Sequence, residues 1–256
     1  MNFENKCALI TGAASGMGLL FAQSFCELGG NAVMCDVNEA VLNAAASEIC
    51  NKNEGIAKPF LCDVRDYNNV CAAVDFAVQS FGHIDVLVNF AGGTATRVCK
   101  VDRKMHPEFP DVPIEVFDWG IDVNLKGPFY FAHAALKVMR EQESGLIVNI
   151  GSITGAEGSA YGMDYAASKA GLMYGLTKSV AQYGSKYGIR CVCVSPGPVL
   201  TRAAMAKMET LLGRAADPQE IVDLILFIAS DKGQFINGEN IMIDGGRNAM
   251  TRGKKK

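Results

Sequence analysis

Three side chains suited to proton chemistry stand in the middle of the 256-residue chain. Tyr165 and Lys169 are four residues apart, which on a helix puts a phenol and an ammonium on one face. An ammonium one turn away favours phenolate, and moves a phenol that ionises near ~10 towards the working range of a general acid/base. Ser152 stands thirteen residues before Tyr165, just past the apolar run Leu146–Ile150. A hydroxyl there can hold a substrate carbonyl or hydroxyl oxygen. The same Tyr-x-x-x-Lys spacing recurs at Tyr174 and Lys178, nine residues on. That offset is roughly 900° of turn and ~13 Å of rise. The second pair therefore faces away and reads as a structural or interface pair.

A second constellation suits an anion. The apolar run Lys6–Thr11 leads into Thr11-Gly12-Ala13-Ala14-Ser15-Gly16-Met17-Gly18. Such glycines permit a tight turn and close backbone approach, and the following helix aims its first amides and positive dipole end at a pyrophosphate. The spacing is Gly-x-x-x-Gly-x-Gly, and no Gly-Lys-Ser/Thr follows, so this is not a Walker loop. Asp36 ends the next apolar run, eighteen residues after Gly18. A carboxylate there accepts the hydroxyls of an adenosine ribose and repels a 2′-phosphate. Ser15, Val37 and Asn38 are not basic, so the residues favour NAD over NADP. The competing reading makes Asp36 a plain turn acid or the cap of the next helix.

These residues need a scaffold that gathers distant strand ends. Strands are expected at Lys6–Thr11, Ala32–Asp36, Ile56–Cys62, Asp85–Asn89, Leu146–Ile150, Arg190–Ser195 and Glu239–Ile243. Helices are expected at Gly16–Leu28, Glu39–Cys50, Asn68–Phe81, Ile114–Arg140, Tyr165–Tyr187 and Pro218–Ala229. The fourth of these should bend near Gly127-Pro128. Asp217 and Pro218 mark the start of the last. Strands separated by long helices imply right-handed βαβ crossovers. The expected fold class is α/β: one doubly wound domain over residues 1–256, with a seven-stranded, mostly parallel sheet covered by helices on both faces. Ligands of such sheets bind beyond the carboxyl ends of the strands, where Gly12, Asp36 and Ser152 fall.

Composition excludes several classes. The length buries a large core without disulfides or metal. A hydrophobic share of 49% with 20% charged residues fits a globular chain, not a disordered one. The net charge of −3 offers nucleic acid no basic field, and Lys254 to Lys256 read as a solvated tail. No apolar run reaches the ~18 residues of a membrane span. Polar Met1 to Lys6 leads straight into a strand, so no signal peptide is expected. Cys7, Cys35, Cys62, Cys191 and Cys193, five of nine cysteines, lie in apolar strand-like runs and read as reduced cytoplasmic thiols. His83, His106 and His133 join no cluster of ligands, so no metal site is expected. Glycine is the outlier: 27 occur, against about 18 at ordinary usage of ~7%. Much of the surplus follows strand ends, at Gly12, Gly16, Gly18, Gly92, Gly93, Gly151, Gly155 and Gly197.

Taken in order, the motifs resemble the short-chain dehydrogenase/reductase family in its single-domain form. They are Thr11-Gly12-x-x-x-Gly16-x-Gly18, Asp63-Val64, Asn89-x-Ala91-Gly92, Asn124 in Val-Asn-Leu-Lys-Gly, Ser152, Tyr165-x-x-Ser168-Lys169, Pro196-Gly197-Pro198-Val199-Leu200-Thr201 and Asp244-Gly245-Gly246. Phe90 departs from the pattern, which there usually has a second Asn. The resemblance implies hydride transfer between a secondary alcohol or ketone and NAD(H), with Tyr165 as acid/base. It implies that Lys169 binds the nicotinamide ribose, Ser152 positions the substrate oxygen, and Asn124 holds a water linking Lys169 to solvent. Ser15 and Met17 would belong to the dinucleotide loop, Asp63 and Val64 would contact adenine, and Asn89, Ala91 and Gly92 would line the adenosine side. Pro196, Gly197, Val199 and Thr201 would close on the nicotinamide amide and phosphates. The residues alone leave Asn124 open as a helix-bend stabiliser and Asp63 as a strand-end cap.

Two segments should shape the substrate pocket: 94–113, with basic Arg97, Lys100, Arg103 and Lys104, and 202–213, with Met205, Met208, Leu211 and Leu212. The second resembles a lid, for which adaptable methionines are suited. Glu157, Tyr161 and Met163 are further candidates for substrate contact. Steroid-like, sugar or polyol, and 3-oxoacyl substrates stay open. So do an NADP-dependent 3-oxoacyl thioester reductase, a non-catalytic NAD sensor, and a lyase or epimerase using NAD transiently. Aromatic-rich helices, with Phe129, Tyr130, Phe131, Tyr174, Tyr183 and Tyr187, exceed what one sheet can cover, and with the resemblance imply a homotetramer.

Overall fold

A computed structural model describes residues 1–53, 55–95 and 108–250. Within them, seven strands form one sheet in the order β3-β2-β1-β4-β5-β6-β7. They are β1 (Cys7–Thr11), β2 (Asn31–Asp36), β3 (Ala57–Leu61), β4 (Val86–Asn89), β5 (Gly145–Ile150), β6 (Ile189–Pro196) and β7 (Asn240–Ile243). Every pairing is parallel. The order reverses at β1 and β4, where Thr11 lies opposite Asn89.

The apolar strand runs follow from burial on both faces, as parallel sheets require. Successive residues of β1 and β2 point to opposite sides. Ala8, Ile10, Ala32 and Met34 join the core under α1 (Gly16–Glu27), α2 (Glu39–Lys52) and α9 (Pro218–Ala229). Leu9, Val33 and Cys35 join the core under α3 (Tyr67–Phe81) and α5 (Gly127–Gln142). Burial pushes the Cys7 and Cys26 thiols up to about 12, so they act as apolar packing groups. Asn38 caps α2 and Asp66 caps α3 through side-chain oxygens. Asp217 and Glu220 form a capping box on α9, with Pro218 in its first turn.

Two helices depart from the regular pattern beside the site. The expected bend near Gly127-Pro128 is a π-helical turn, Asp122–Lys126, between α4 (Ile114–Ile121) and α5. The helix expected from Tyr165 is α7 (Met163–Ala170), a π-helical turn (Gly171–Leu176) and α8 (Thr177–Gly184). A five-residue helix the sequence pattern does not show, α6 (Ile153–Glu157), follows β5. It is too short to carry a helical period. The aromatic helices are partly self-covered: Phe131, Met139 and Met173 are fully buried, whereas Phe129, Tyr174 and Tyr183 are exposed. Of the segment 94–113, residues 96–107 lie outside the described residues. No helix among the described residues is long and apolar enough to cross a membrane.

A buried polar ladder ties the sheet to α8. Asn89 Nδ2 donates to Asn149 Oδ1 at 2.9 Å, and Asn149 Nδ2 donates to Thr177 Oγ1 at 3.0 Å. Asn149→Ala strands the Asn89 amide and takes a donor from the Thr177 hydroxyl, which keeps its bond to the Leu172 carbonyl, and an unsatisfied buried group costs about 1–3 kcal/mol. A stability loss of roughly 2–4 kcal/mol is expected, read as a lower urea midpoint with unchanged slope.

Candidate active site

The glycine loop is fastened to the second strand. Gly12 takes φ +65°, a left-handed conformation that favours glycine, and a side chain there would meet the Ala91 amide at 2.8 Å. A side chain on Gly18 would meet the Gly12 carbonyl oxygen. The amides of Ala14 and Asn38 donate to Asp36 Oδ2 and Oδ1, each at 3.1 Å. Asp36 is thus a fixed acceptor, and the cap of α2 is Asn38 instead. Gly12, Ser15, Met17, Gly18 and Asp36 line a cavity of about 460 Å³ together with Asp63, Val64, Ala91 and Gly92. The cavity joins a hydroxyl-accepting carboxylate to a backbone cradle at a helix N-terminus, which suits an adenosine ribose and a pyrophosphate.

The end of β3 contributes a charged pair to the same cavity. Asp63 Oδ1 accepts from Arg65 Nε at 2.9 Å, and Oδ2 accepts from Nη2 at 2.6 Å. The Arg65 guanidinium holds the Asp63 carboxyl below the usual carboxylate range. Asp63 Oδ1 also accepts from the Arg65 amide at 3.0 Å, closing the turn after β3, and Asp63 lines the cavity; the helix cap is Asp66. Sequence reasoning passes over Cys62, Arg65, Phe90, Trp119 and Val123, which also line it. Their only signal was adjacency to Asp63, Ala91 and Asn124. Phe90, the departure from the family pattern, packs 5.9 Å from the Phe21 ring of α1.

At the chemical end, Lys169 is buried and its Nζ donates to the Ile150 carbonyl oxygen at 2.6 Å. The same nitrogen lies 5.5 Å from the Tyr165 ring centroid. A β-carbon on Gly92 would lie 2.7 Å from Asn124 Oδ1 and 3.4 Å from Lys169 Nζ, so these three residues meet. Asn124 Oδ1 accepts from the Gly93 amide, and Nδ2 donates to the carbonyls of Gly93 and Gly120, each at 2.9 Å. Its carboxamide is committed to backbone and stabilises the helix bend.

Ser152 caps α6 by accepting from the Thr154 amide at 3.2 Å, which leaves its O–H as a donor. Ser152 and Tyr165 line a second cavity, of about 330 Å³, with Pro196, Gly197, Val199 and Thr201. Met17 lines both cavities, which therefore adjoin. Ile153, Ser159, Tyr161, Arg202, Met205 and Met208 also line the second one. Neither Glu157 nor Met163 lines it: Glu157 pairs with Arg247 at 3.2 Å. Leu211 and Leu212 stay largely exposed, outside it. Tyr174, of the second Tyr-x-x-x-Lys pair, is exposed and lines neither cavity. Of the expected cofactor contacts, Asn89 stands apart from the two cavities. It is 2% exposed, lines neither cavity, and spends its amide on the β4–β5 ladder. Gly16, Asn124 and Lys169 also line neither cavity; Gly16 opens α1, and the other two are buried beside Gly92.

A family model described as Enoyl-(Acyl carrier protein) reductase matches residues 12–248. A 7alpha-hydroxysteroid dehydrogenase of Bacteroides fragilis is 34% identical over 95% of each chain. A trans-4-hydroxycyclohexanecarboxylate dehydrogenase of Sinomonas cyclohexanicum is 40% identical over 95% of this chain and 93% of its own. The crystal structure of a 3-oxoacyl-[acyl-carrier protein] reductase with bound NAD from Brucella melitensis superimposes with a TM-score of 0.84, at 31% identity, over 95% of this chain and 91% of that one. The chain belongs to the short-chain dehydrogenase/reductase family. It is an NAD(P)-dependent oxidoreductase acting on alcohols and ketones.

Asp36→Ala removes the carboxylate from the larger cavity and frees the Ala14 and Asn38 amides. A charged hydrogen bond is worth about 10- to 100-fold in affinity. NAD affinity should fall by that order and NADP affinity much less, read by fluorescence titration. An unchanged ratio of the two would remove Asp36 from coenzyme choice.

Proposed function

We propose that this protein is a dehydrogenase that transfers hydride between a secondary alcohol or ketone and NAD(H), with Tyr165 as its acid/base. The observation that carries this reading is the junction of the two cavities at Met17, with Asp36 in one and Ser152 with Tyr165 in the other. NAD, when bound, supplies the hydride acceptor at C4 of its nicotinamide ring. The adenosine half would lie against Asp36, Asp63 and Val64, and the pyrophosphate at Gly12, Ser15, Gly16, Met17 and Gly18. Ala91 and Gly92 would form the floor, with Pro196, Gly197, Val199 and Thr201 over the nicotinamide half. Asp36, with no basic residue at Ser15, Val37 or Asn38, supports NAD over NADP.

In oxidation the Tyr165 oxygen, having released its own proton, takes the hydroxyl proton, and Ser152 orients the reacting oxygen through its free O–H. The Lys169 ammonium, held by the Ile150 carbonyl, fixes positive charge beside the Tyr165 ring and the nicotinamide ribose. Asn124, as the family resemblance implies, would hold the water that connects Lys169 to solvent. The whole chain acts as one dinucleotide-binding domain, with substrate loops at about 94–113 and 202–213, in the cytoplasm. It requires no metal and has no nucleic-acid or membrane partner.

Tyr165→Phe keeps the ring and deletes the proton carrier. Turnover of secondary alcohols with NAD, followed by nicotinamide absorbance, should fall at least about 100-fold, the reach of general acid–base catalysis. NAD affinity should stay within about threefold. Retained turnover refutes the mechanism, and NAD binding without turnover of any alcohol by the native protein points to a sensor. Exposed Phe129, Tyr174 and Tyr183 support a homotetramer. Sedimentation at four times the 27.3 kDa chain mass is expected, and monomer alone refutes it.

A further inference from the structure

The Tyr165 cavity has walls of hydroxyl and apolar groups and one charge. Ser152, Ser159, Tyr161 and Thr201 supply hydroxyls, and Ile153, Met205 and Met208 supply apolar surface. Arg202 is the one charged side chain that lines it among the described residues. Arg202 sits at the start of the short 3₁₀ helix Ala203–Lys207, in extended backbone, with its carbonyl bonded to the Met205 amide at 3.0 Å. That bond is to its main chain; no carboxylate among the described residues pairs with its guanidinium. The other arginine of this region, Arg214, is engaged with Glu220, and Arg247 is engaged with Glu157. Arg202 differs from both in lining a cavity with no carboxylate partner among the described residues.

We infer that Arg202 is an anion subsite of the substrate cavity, and that the substrate is a secondary alcohol or ketone bearing a carboxylate on an apolar body. The inference rests on the oxidoreductase reading of the same cavity and names its substrate class. A guanidinium binds a carboxylate through two parallel N–H donors and fixes orientation as well as affinity. With the carboxylate held at Arg202, the carbinol lies in the same cavity as Tyr165 and Ser152. Met205 and Met208, three and six residues further along the same segment, cover the apolar body. A neutral fused-ring alcohol or polyol leaves the charge unused. The cofactor's own phosphates have a cradle in the adjoining cavity, lined by Gly12, Ser15 and Gly18, which Arg202 does not line. A single guanidinium fits a monoanion, whereas a phosphate dianion calls for several donors.

The test pairs 4-hydroxycyclohexanecarboxylate with its methyl ester, which has the same ring and a neutral end. With the NAD-loaded native protein, kcat/KM for the acid should exceed that for the ester by about tenfold or more. Arg202→Gln should bring the ratio to about one, and Arg202→Lys should keep part of it by retaining the charge. Rising salt should erode the acid's advantage. A ratio that Arg202→Gln leaves unchanged, or a native preference for the ester, overturns the subsite. A loss of NAD affinity that accounts for equal losses on acid and ester assigns Arg202 to the cofactor and also overturns it. Calorimetric titration of acid and ester into the NAD-loaded protein decides the subsite without turnover. Tighter binding of the acid, abolished in Arg202→Gln, supports it, and equal binding overturns it. If no alcohol of any kind is oxidised while this binding difference persists, the oxidoreductase reading fails and the subsite stands.

Discussion

Parallel pairing is the constraint on which everything else here depends. Each strand must return to the same end of the sheet before the next begins, so the carboxyl ends of β1 to β7 line one edge. Thr11, Asp36, Asn89, Ile150 and Pro196 end five of those strands and are far apart in sequence. The edge brings their neighbours within hydrogen-bonding reach. The Thr11 hydroxyl accepts from the Ala91 amide at 3.0 Å, and the Ala14 amide reaches Asp36 across two strands. The site is built from backbone ends, and its side chains are attached to them.

Around that edge, polar groups divide into those that hold the frame and those that face the cavities. Asn124 and Asn89 hold the frame. One ties the β4 loop to α4 through Gly93 and Gly120, and the other ties β4 to β5. Lys169 belongs to the frame as well: it is buried, anchored to the β5 carbonyl at Ile150, and close to Tyr165, which lines the smaller cavity. Asp36 does both, since two backbone amides fix the carboxylate that lines the larger cavity. Activity and local stability are therefore coupled at these positions, and a change at either one moves both.

The sheet and its ends were legible because burial on both faces writes itself as continuous apolar runs, and close backbone approach writes itself as glycine. Gly12, Gly18 and Gly92 are examples, each with a backbone or side-chain neighbour where a β-carbon would go. The Tyr165, Lys169 and Ser152 set was legible from residue type and spacing. The ladder between Asn89 and Asn149 left no trace, because a strand-end position does not say which face a side chain takes. The π-helical turns were hidden because hydrogen-bond register leaves no trace in apolar periodicity, although Pro128 marked one of them. α6 was hidden by its five-residue length. Arg202 was visible as a residue, but its place in the Tyr165 cavity depends on how the segment after β6 folds back.

The π-helical turn at Gly171–Leu176 separates two orientations within one rod. Before it, Lys169 is aimed at the strand ends; after it, Thr177 is aimed beneath β5 at Asn149. A π turn amounts to one residue inserted into an α-helix. Deleting a residue there would restore α geometry and rotate everything beyond it by roughly 100° relative to Lys169. Such a rod tolerates substitution at its exposed positions but not a change in length, so insertions and deletions have to be taken up in the loops instead.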